Sequence, residues 1–278
     1  MRLTILVDND TLIEKYYLAE PAVCFHINDK GKNILLDVGY SGIFISNADK
    51  MGINLMNLDY VVLSHGHLDH TWGLEPLMKL YGKTGSKKRV QGNPVIVGHP
   101  LVLKPKIDGD EKIGTLVSET KLRDCFEVKL SKEPVWLTDN LVFLGEIERT
   151  TKFEARNPLG KFILEGKEED DMLTDDSALV YKSKDGLVVI TGCSHSGICN
   201  IIEYAKKVCK DDRIADVVGG FHLLQPSKEQ LNETVNYFKK IQPSVVHACH
   251  CTGLDATVAL ASVANLKEVG VGLVLDYD

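Results

Sequence analysis

The sequence predicts a layered α/β protein, two similar halves closing as a sandwich, on three observations. Apolar runs of strand length recur along the chain and end in Gly, Asp or His. Segments with apolar residues at helical spacing follow them. The order of strands, a strand running into a loop, then a helix occurs once in each half.

Taken in order, "LTILVDN", "AVCFHIN" and "KNILLDVG" read as an opening meander of strands, the last ending in Asp37 and Gly39. "GIFISNADKMGINL" carries helical spacing, and "LDYVVLSHGHLDH" is a buried strand running into a polar loop. A helix from Gly73 to Leu80 fades into the turn "YGKTGSKKRV", and "NPVIVGHP" is again a strand. From Leu101 to Gly166 the pattern is irregular. Strand-like "EPVWLT" and "LVFLGEI" sit among charges, and "EGKEEDDMLTDD" reads as an acidic surface loop. The chain, 1–278, is expected to form one domain, with about 80–170 as a variable, substrate-covering insertion. "SALVYKS" and "GLVVITG" then form a hairpin about "KDG", and "CSHSGICNIIEYAKKVCK" a helix. "ADVVGGFHLL" and "SVVHACHCTG" are strands flanking the helix "SKEQLNETVNYFKKI", with Ser227 as its N-cap and Glu229 and Glu233 toward its positive end. "LDATVALASVA" is helical, and "GVGLVLDYD" closes the chain as a strand.

With 44% hydrophobic and 26% charged residues and a formal charge of -7, the chain is an ordinary globular composition without a basic surface for nucleic acid. The expected partner is a small molecule. No apolar run approaches the roughly 20 residues that span a bilayer, and the N-terminus lacks a signal peptide's apolar stretch, so the cytoplasm is the expected location. Oligomeric state is left open. Seven cysteines, an odd number in a long chain, read as reduced thiols. Cys24, Cys125 and Cys209 fit small buried hydrophobes, whereas Cys193, Cys199, Cys249 and Cys251 lie beside histidines.

Histidine carries the chemistry. His65, His195, His222 and His250 each follow an apolar run, and the carboxyl ends of strands in a layered α/β protein open into a common crevice. In "SHGHLDH", His65 and His67 are two apart and face one way from an extended segment, and Asp69 and His70 follow on the turn into a helix. One pair suits one metal ion and the second pair its neighbour. Imidazole with carboxylate suits Zn²⁺, Fe or Mn²⁺, and two such ions can clamp both ends of a displacement.

"HGHLDH" after an apolar strand resembles the H-x-H-x-D-H signature of the metallo-β-lactamase fold superfamily. "ILLDVG" is similar to that family's first motif, and "TGCSHSG", "GGFHL" and "HCTG" resemble its branch of archaeal dihydropteroate-synthase-like enzymes of methanopterin biosynthesis. The resemblance runs from about residue 3 to the C-terminus. It implies a four-layer αββα sandwich with a binuclear metal site in a cleft, two divalent ions, Zn²⁺ ahead of Fe or Mn²⁺. It places His65, His67 and His195 at one metal, Asp69 and His70 at the other, and Asp37 behind the ligands as their support. Many members carry an aspartate in "TGD" where this chain has Cys193. Either Cys193 replaces that carboxylate, or the second site is weakened and His195 serves alone. His250 is the favoured last ligand because Gly253 lets the backbone turn into the site, leaving His222 to contact substrate or stabilise an oxyanion.

The implied chemistry is hydrolysis by a metal-activated hydroxide at a carbonyl or phosphorus centre, with Asp69 orienting it. One alternative is transfer, condensing a pterin diphosphate with an arylamine; another is a non-hydrolytic iron-binding or redox role. His99 and Arg149, with Lys152 and Glu154, are expected substrate contacts, the solvated loop being the plain alternative for the charged group. His26 reads as structural, His247 has the wrong strand parity for the site, and Asp175 and Asp176 form an acidic turn or orient a ligand from behind.

Overall fold

The computed structural model describes residues 1–84, 92–164 and 166–278. Its first sheet has seven strands in the order β17-β1-β2-β3-β4-β5-β8. These are β1 (Arg2–Val7), β2 (Cys24–Asp29), β3 (Lys32–Leu36), β4 (Tyr60–Val62), β5 (Val95–Gly98), β8 (Glu127–Leu130) and β17 (Val274–Asp276). The predicted meander β1-β2-β3 is antiparallel, and β3, β4, β5 and β8 run parallel. The second sheet, β16-β15-β14-β13-β10-β9, holds β9 (Val135–Trp136), β10 (Leu141–Phe143), β13 (Ala178–Ser183), β14 (Gly186–Thr191), β15 (Ile214–Gly220) and β16 (Val245–Cys249). Here β14, β15 and β16 are parallel.

Alternation along the strands builds the layers. Ile34 and Leu36 of β3 join Val188 and Ile190 of β14 in a core between the sheets, whereas Leu35 and Val61 turn outward onto α1 (Ile43–Lys50) and α3 (Leu74–Thr84). Leu187 and Val189 likewise face outward, against α5 (Ile198–Cys209), α6 (Lys228–Ile241) and α7 (Leu254–Ala261). Both faces of each sheet are therefore buried, giving αββα layering. Each fully buried aliphatic side chain contributes about 1.5–3 kcal/mol, so continuous apolar runs such as "LVVI" are stable only when covered on both sides.

Several expectations need correction. The helix predicted from Cys193 begins only at Ile198, because Ser194 and Gly197 have φ of 63 and 91° and break regular geometry. The predicted helix ending at Leu80 continues to Thr84; the remainder of its expected turn lies outside the described residues. The closing segment does form a strand, β17, which pairs with β1 and so completes the first sheet. The irregular stretch divides: β8, β9 and β10 extend the main sheets, while β6 (Lys106–Asp108), β7 (Glu111–Lys112), β11 (Lys161–Leu164) and, just past it, β12 (Lys167–Asp170) form a third, four-stranded sheet, with α4 (Glu119–Arg123) before β8. The acidic segment contains strand β12, and beyond it Asp171, Asp175 and Asp176 are buried rather than solvated. No helix among the described residues is long and apolar enough to cross a membrane.

Candidate metal centre

The carboxyl ends of β3, β4, β14, β15 and β16 supply the site. After β3 the chain turns through Asp37, at φ 57° and fully buried. Its Oδ1 accepts from the Ser64 backbone N–H at 2.7 Å; its Oδ2 accepts from the Ser64 hydroxyl and from His70 Nδ1, each at 2.7 Å. The hydroxyl proton is thereby committed, so Ser64 Oγ accepts from His65 Nδ1 at 3.0 Å. This network places a proton on Nδ1 of both imidazoles and turns Nε2 of each toward the site.

Past β4, His65 and His67 flank Gly66. A Cβ at Gly66 would lie 2.5 Å from the Val102 carbonyl oxygen and 2.8 Å from Lys106 Cε, so only glycine fits. The Gly66 N–H donates to Asp175 Oδ2 at 2.9 Å, and Lys106 Nζ bonds Asp175 at 2.9 Å and Asp171 at 2.5 Å. His67 precedes α2 (Leu68–Thr71), which carries Asp69 and His70, and its backbone bridges to Gly114 of the third-sheet region.

From the second sheet, Thr191-Gly192-Cys193 brings Cys193 and His195 against this loop. Gly192 is required: a Cβ there would meet Ser64 Oγ at 2.2 Å and Asp37 Oδ2 at 2.8 Å. Cys193 Sγ lies 3.2 Å from His70 Nε2 and 3.2 Å from His250 Nε2, while Asp69 Oδ2 lies 3.5 and 3.3 Å from the same two nitrogens. His250 leaves β16 at φ 52°, with its N–H on Asp8 Oδ1 and its carbonyl accepting from Asn9.

Two donor groups result, Asp69, His70, Cys193 and His250 in one and His65, His67 and His195 in the other, each with its ligand atoms within 4.8 Å of one another. In the second group all three Nε2 atoms are buried without a hydrogen-bond partner. Orphaned imidazole nitrogens pointing together are costly unless a cation completes them, so these residues fit a metal ion. Burial holds His65 and His195 well below the usual imidazole range and lowers His67 to about 4, which keeps their lone pairs free. His70 moves the other way: burial opposes its charge, but the Asp69 and Asp37 carboxylates outweigh it. Burial also raises the Cys193 thiol.

The remaining expected residues separate. His222 belongs to neither donor group; its ring packs 4.2 Å from that of His195 and its N–H reaches Cys251 Sγ. His99 is fully buried, its Nδ1 accepting from Leu101 N–H and its Nε2 bonded to Glu146, so both nitrogens are used and the expected substrate contact is replaced by a loop-fixing role. Arg149, half-buried, donates through Nη2 to the Leu173 carbonyl and to Ser196 Oγ. Glu154 is buried and accepts from the N–H groups of Cys199 and Asn200 at the start of α5. His26 is buried within β2, and His247 bonds Asp216. Ser64, Asp8, Lys106 and Asp171 were not anticipated, whereas Asp175, read as an acidic turn or a support behind a ligand, is buried and holds the Gly66 N–H between His65 and His67. Asp8 follows an apolar strand as Asp37 does, a signal that was present; a buried lysine in an irregular segment gives none.

A layered αββα protein with seven metal-capable side chains converging at its strand ends is a candidate metalloprotein. Its sequence agrees, because residues 18–130 match the metallo-beta-lactamase superfamily. An uncharacterized protein of Methanocaldococcus jannaschii is 32% identical over 98% of both chains. From the same organism, 7,8-dihydropterin-6-methyl-4-(beta-D-ribofuranosyl)-aminobenzene-5'-phosphate synthase is 31% identical over 81% of this chain and 77% of its own. The crystal structure of Tm1679, a metal-dependent hydrolase of the beta-lactamase superfamily, superposes with a TM-score of 0.84 and 29% identity over the whole of both chains. The chain belongs to the metallo-beta-lactamase superfamily.

Proposed function

We propose that the protein is a metal-dependent hydrolase holding two divalent ions and acting on a small anionic or ester-type substrate such as a phosphoester or lactone. The observation that carries this reading is the trio of orphaned Nε2 atoms of His65, His67 and His195 beside the Asp69–His70–Cys193–His250 group. The three imidazoles would hold one ion and leave it room for water or substrate, as catalytic sites do, whereas the four-donor group would hold its neighbour more fully. Cys193 takes the place of the family's aspartate, and its thiolate favours Zn²⁺ or Fe over Mn²⁺. When bound, such ions polarise a carbonyl or phosphoryl oxygen and bring the pKa of water toward neutrality.

The chain's own residues supply orientation. Asp69, a member of the four-donor group, would also orient the attacking water. His222, beyond His195, contacts the substrate oxygen on which charge develops. The segment holding the third sheet covers the substrate, within a single domain.

The test is turnover of a phosphodiester, lactone and lactam panel by metal-loaded protein. His67→Ala and Asp69→Ala should lose metal and at least about a thousandfold in rate, in line with the several kcal/mol that metal polarisation supplies. A metal-free His67→Ala protein with full activity contradicts the reading. A second reading, group transfer, is supported by the synthase name of the 31% identical relative. Supplying a pterin diphosphate with and without an arylamine separates the two: amine-dependent product favours transfer, and amine-independent diphosphate release favours hydrolysis.

A further inference from the structure

Beside His195 and His222 opens a cavity of about 410 Å³, walled by the loop that carries Lys152 and Arg156 and by the segment entering α6. That volume lies within the range of small-molecule sites. Lys152 and Arg156 are both exposed, and among the described residues neither has a carboxylate within salt-bridge distance. Arg156 is steadied by donating its Nε–H to the Lys152 carbonyl, which leaves both terminal amino groups of the guanidinium to face a ligand. Across the cavity, Gln225 and Gln230 bring amide donors, and the 14-residue helix α6 directs its positive end there. Glu229 is the single carboxylate in the described lining. Phe153, Leu159 and Met172 complete the wall with apolar surface.

Two cations against one carboxylate, amide donors and an apolar wall, all abutting a candidate metal ligand, describe a place for part of a substrate rather than for the bond that reacts. We infer that Lys152 and Arg156 bind a phosphate group set back from the reacting bond of an organic substrate, whose body lies on Phe153 and Leu159. The inference rests on the hydrolase reading only for which bond reacts; the anion subsite stands or falls separately.

The test is calorimetric titration of metal-loaded protein with phenyl phosphate, with inorganic phosphate and benzyl alcohol as parallel arms. The two cations are exposed, so each contributes a few-fold, and Lys152→Ala/Arg156→Ala should weaken phenyl phosphate about tenfold at unchanged metal content. Lys152→Arg/Arg156→Lys should restore most of the affinity, and benzyl alcohol should respond to neither variant. Phenyl phosphate binding more tightly than inorganic phosphate assigns the subsite to a phosphorylated organic substrate; the reverse order overturns that assignment. Equal phenyl phosphate affinity in wild type and the double alanine variant overturns the inference and leaves the metal centre untouched. Absence of any ester turnover, with the tenfold effect intact, sinks the hydrolase reading and leaves the subsite.

Discussion

Asp37 shows how one residue can govern a site that it does not enter. It fixes the Ser64 backbone, the Ser64 hydroxyl and His70 at 2.7 Å each, and through that hydroxyl it also sets the tautomer of His65. Asp37→Asn replaces an acceptor by a donor against His70 Nδ1, and should weaken metal affinity about 10–100-fold while the fold persists; competition against a chelator measures it. Gly192 is equally constrained, by space. Gly192→Ala would drive a methyl into Ser64 Oγ, 2.2 Å away, and should destabilise by about 1–3 kcal/mol in urea unfolding. At this scale the sequence was informative where chemistry is local, as in "SHGHLDH". It was silent where partners are far apart in the chain, as with Lys106 and Asp175, because no period or spacing links a β6 lysine to a carboxylate before β13.

Among elements, α5 has Gly197 at its N-cap, which offers no capping side chain, and Glu154 takes that role from another loop. Glu154→Ala should therefore cost about 1–2 kcal/mol, more than an exposed glutamate would. The reading of Glu154 as a substrate contact failed because a carboxylate that caps a distant helix looks, in sequence, like any loop charge. The histidine loop between β4 and α2 carries its own pH signature. His67 stays neutral in the fold down to about pH 4, because burial and then Lys106 disfavour its charge, against an ordinary 6.5. Its folded pKa is depressed, so as pH falls the unfolded chain takes the proton first. The contribution is complete above about pH 6.5 and disappears toward pH 4, up to about 3 kcal/mol for the metal-free protein. Urea titrations of metal-free protein across that window should show the fall, and His67→Asn should flatten it.

At the scale of the whole molecule, the two sheets act as jaws: the first delivers His65, His67, Asp69 and His70, the second Cys193, His195 and His250. Both halves were legible as alternations of strand and helix, because burial on both faces writes continuous apolar runs. The return of β17 to the first sheet was not, since a short terminal strand carries no mark of its partner. The third sheet is tied to the jaws through the buried Lys106–Asp171–Asp175 cluster. Lys106→Met would leave two buried carboxylates uncompensated, costing about 3–5 kcal/mol and loosening the Gly66 turn. The central claim is that the jaws close on two ions with different donor sets, and elemental analysis of the metal-supplemented protein tests it most directly. Wild type should carry two divalent ions per chain, with Cys193→Ser and His67→Ala each losing one. Wild type with no bound ion, or Cys193→Ser and His67→Ala with unchanged content, would contradict it.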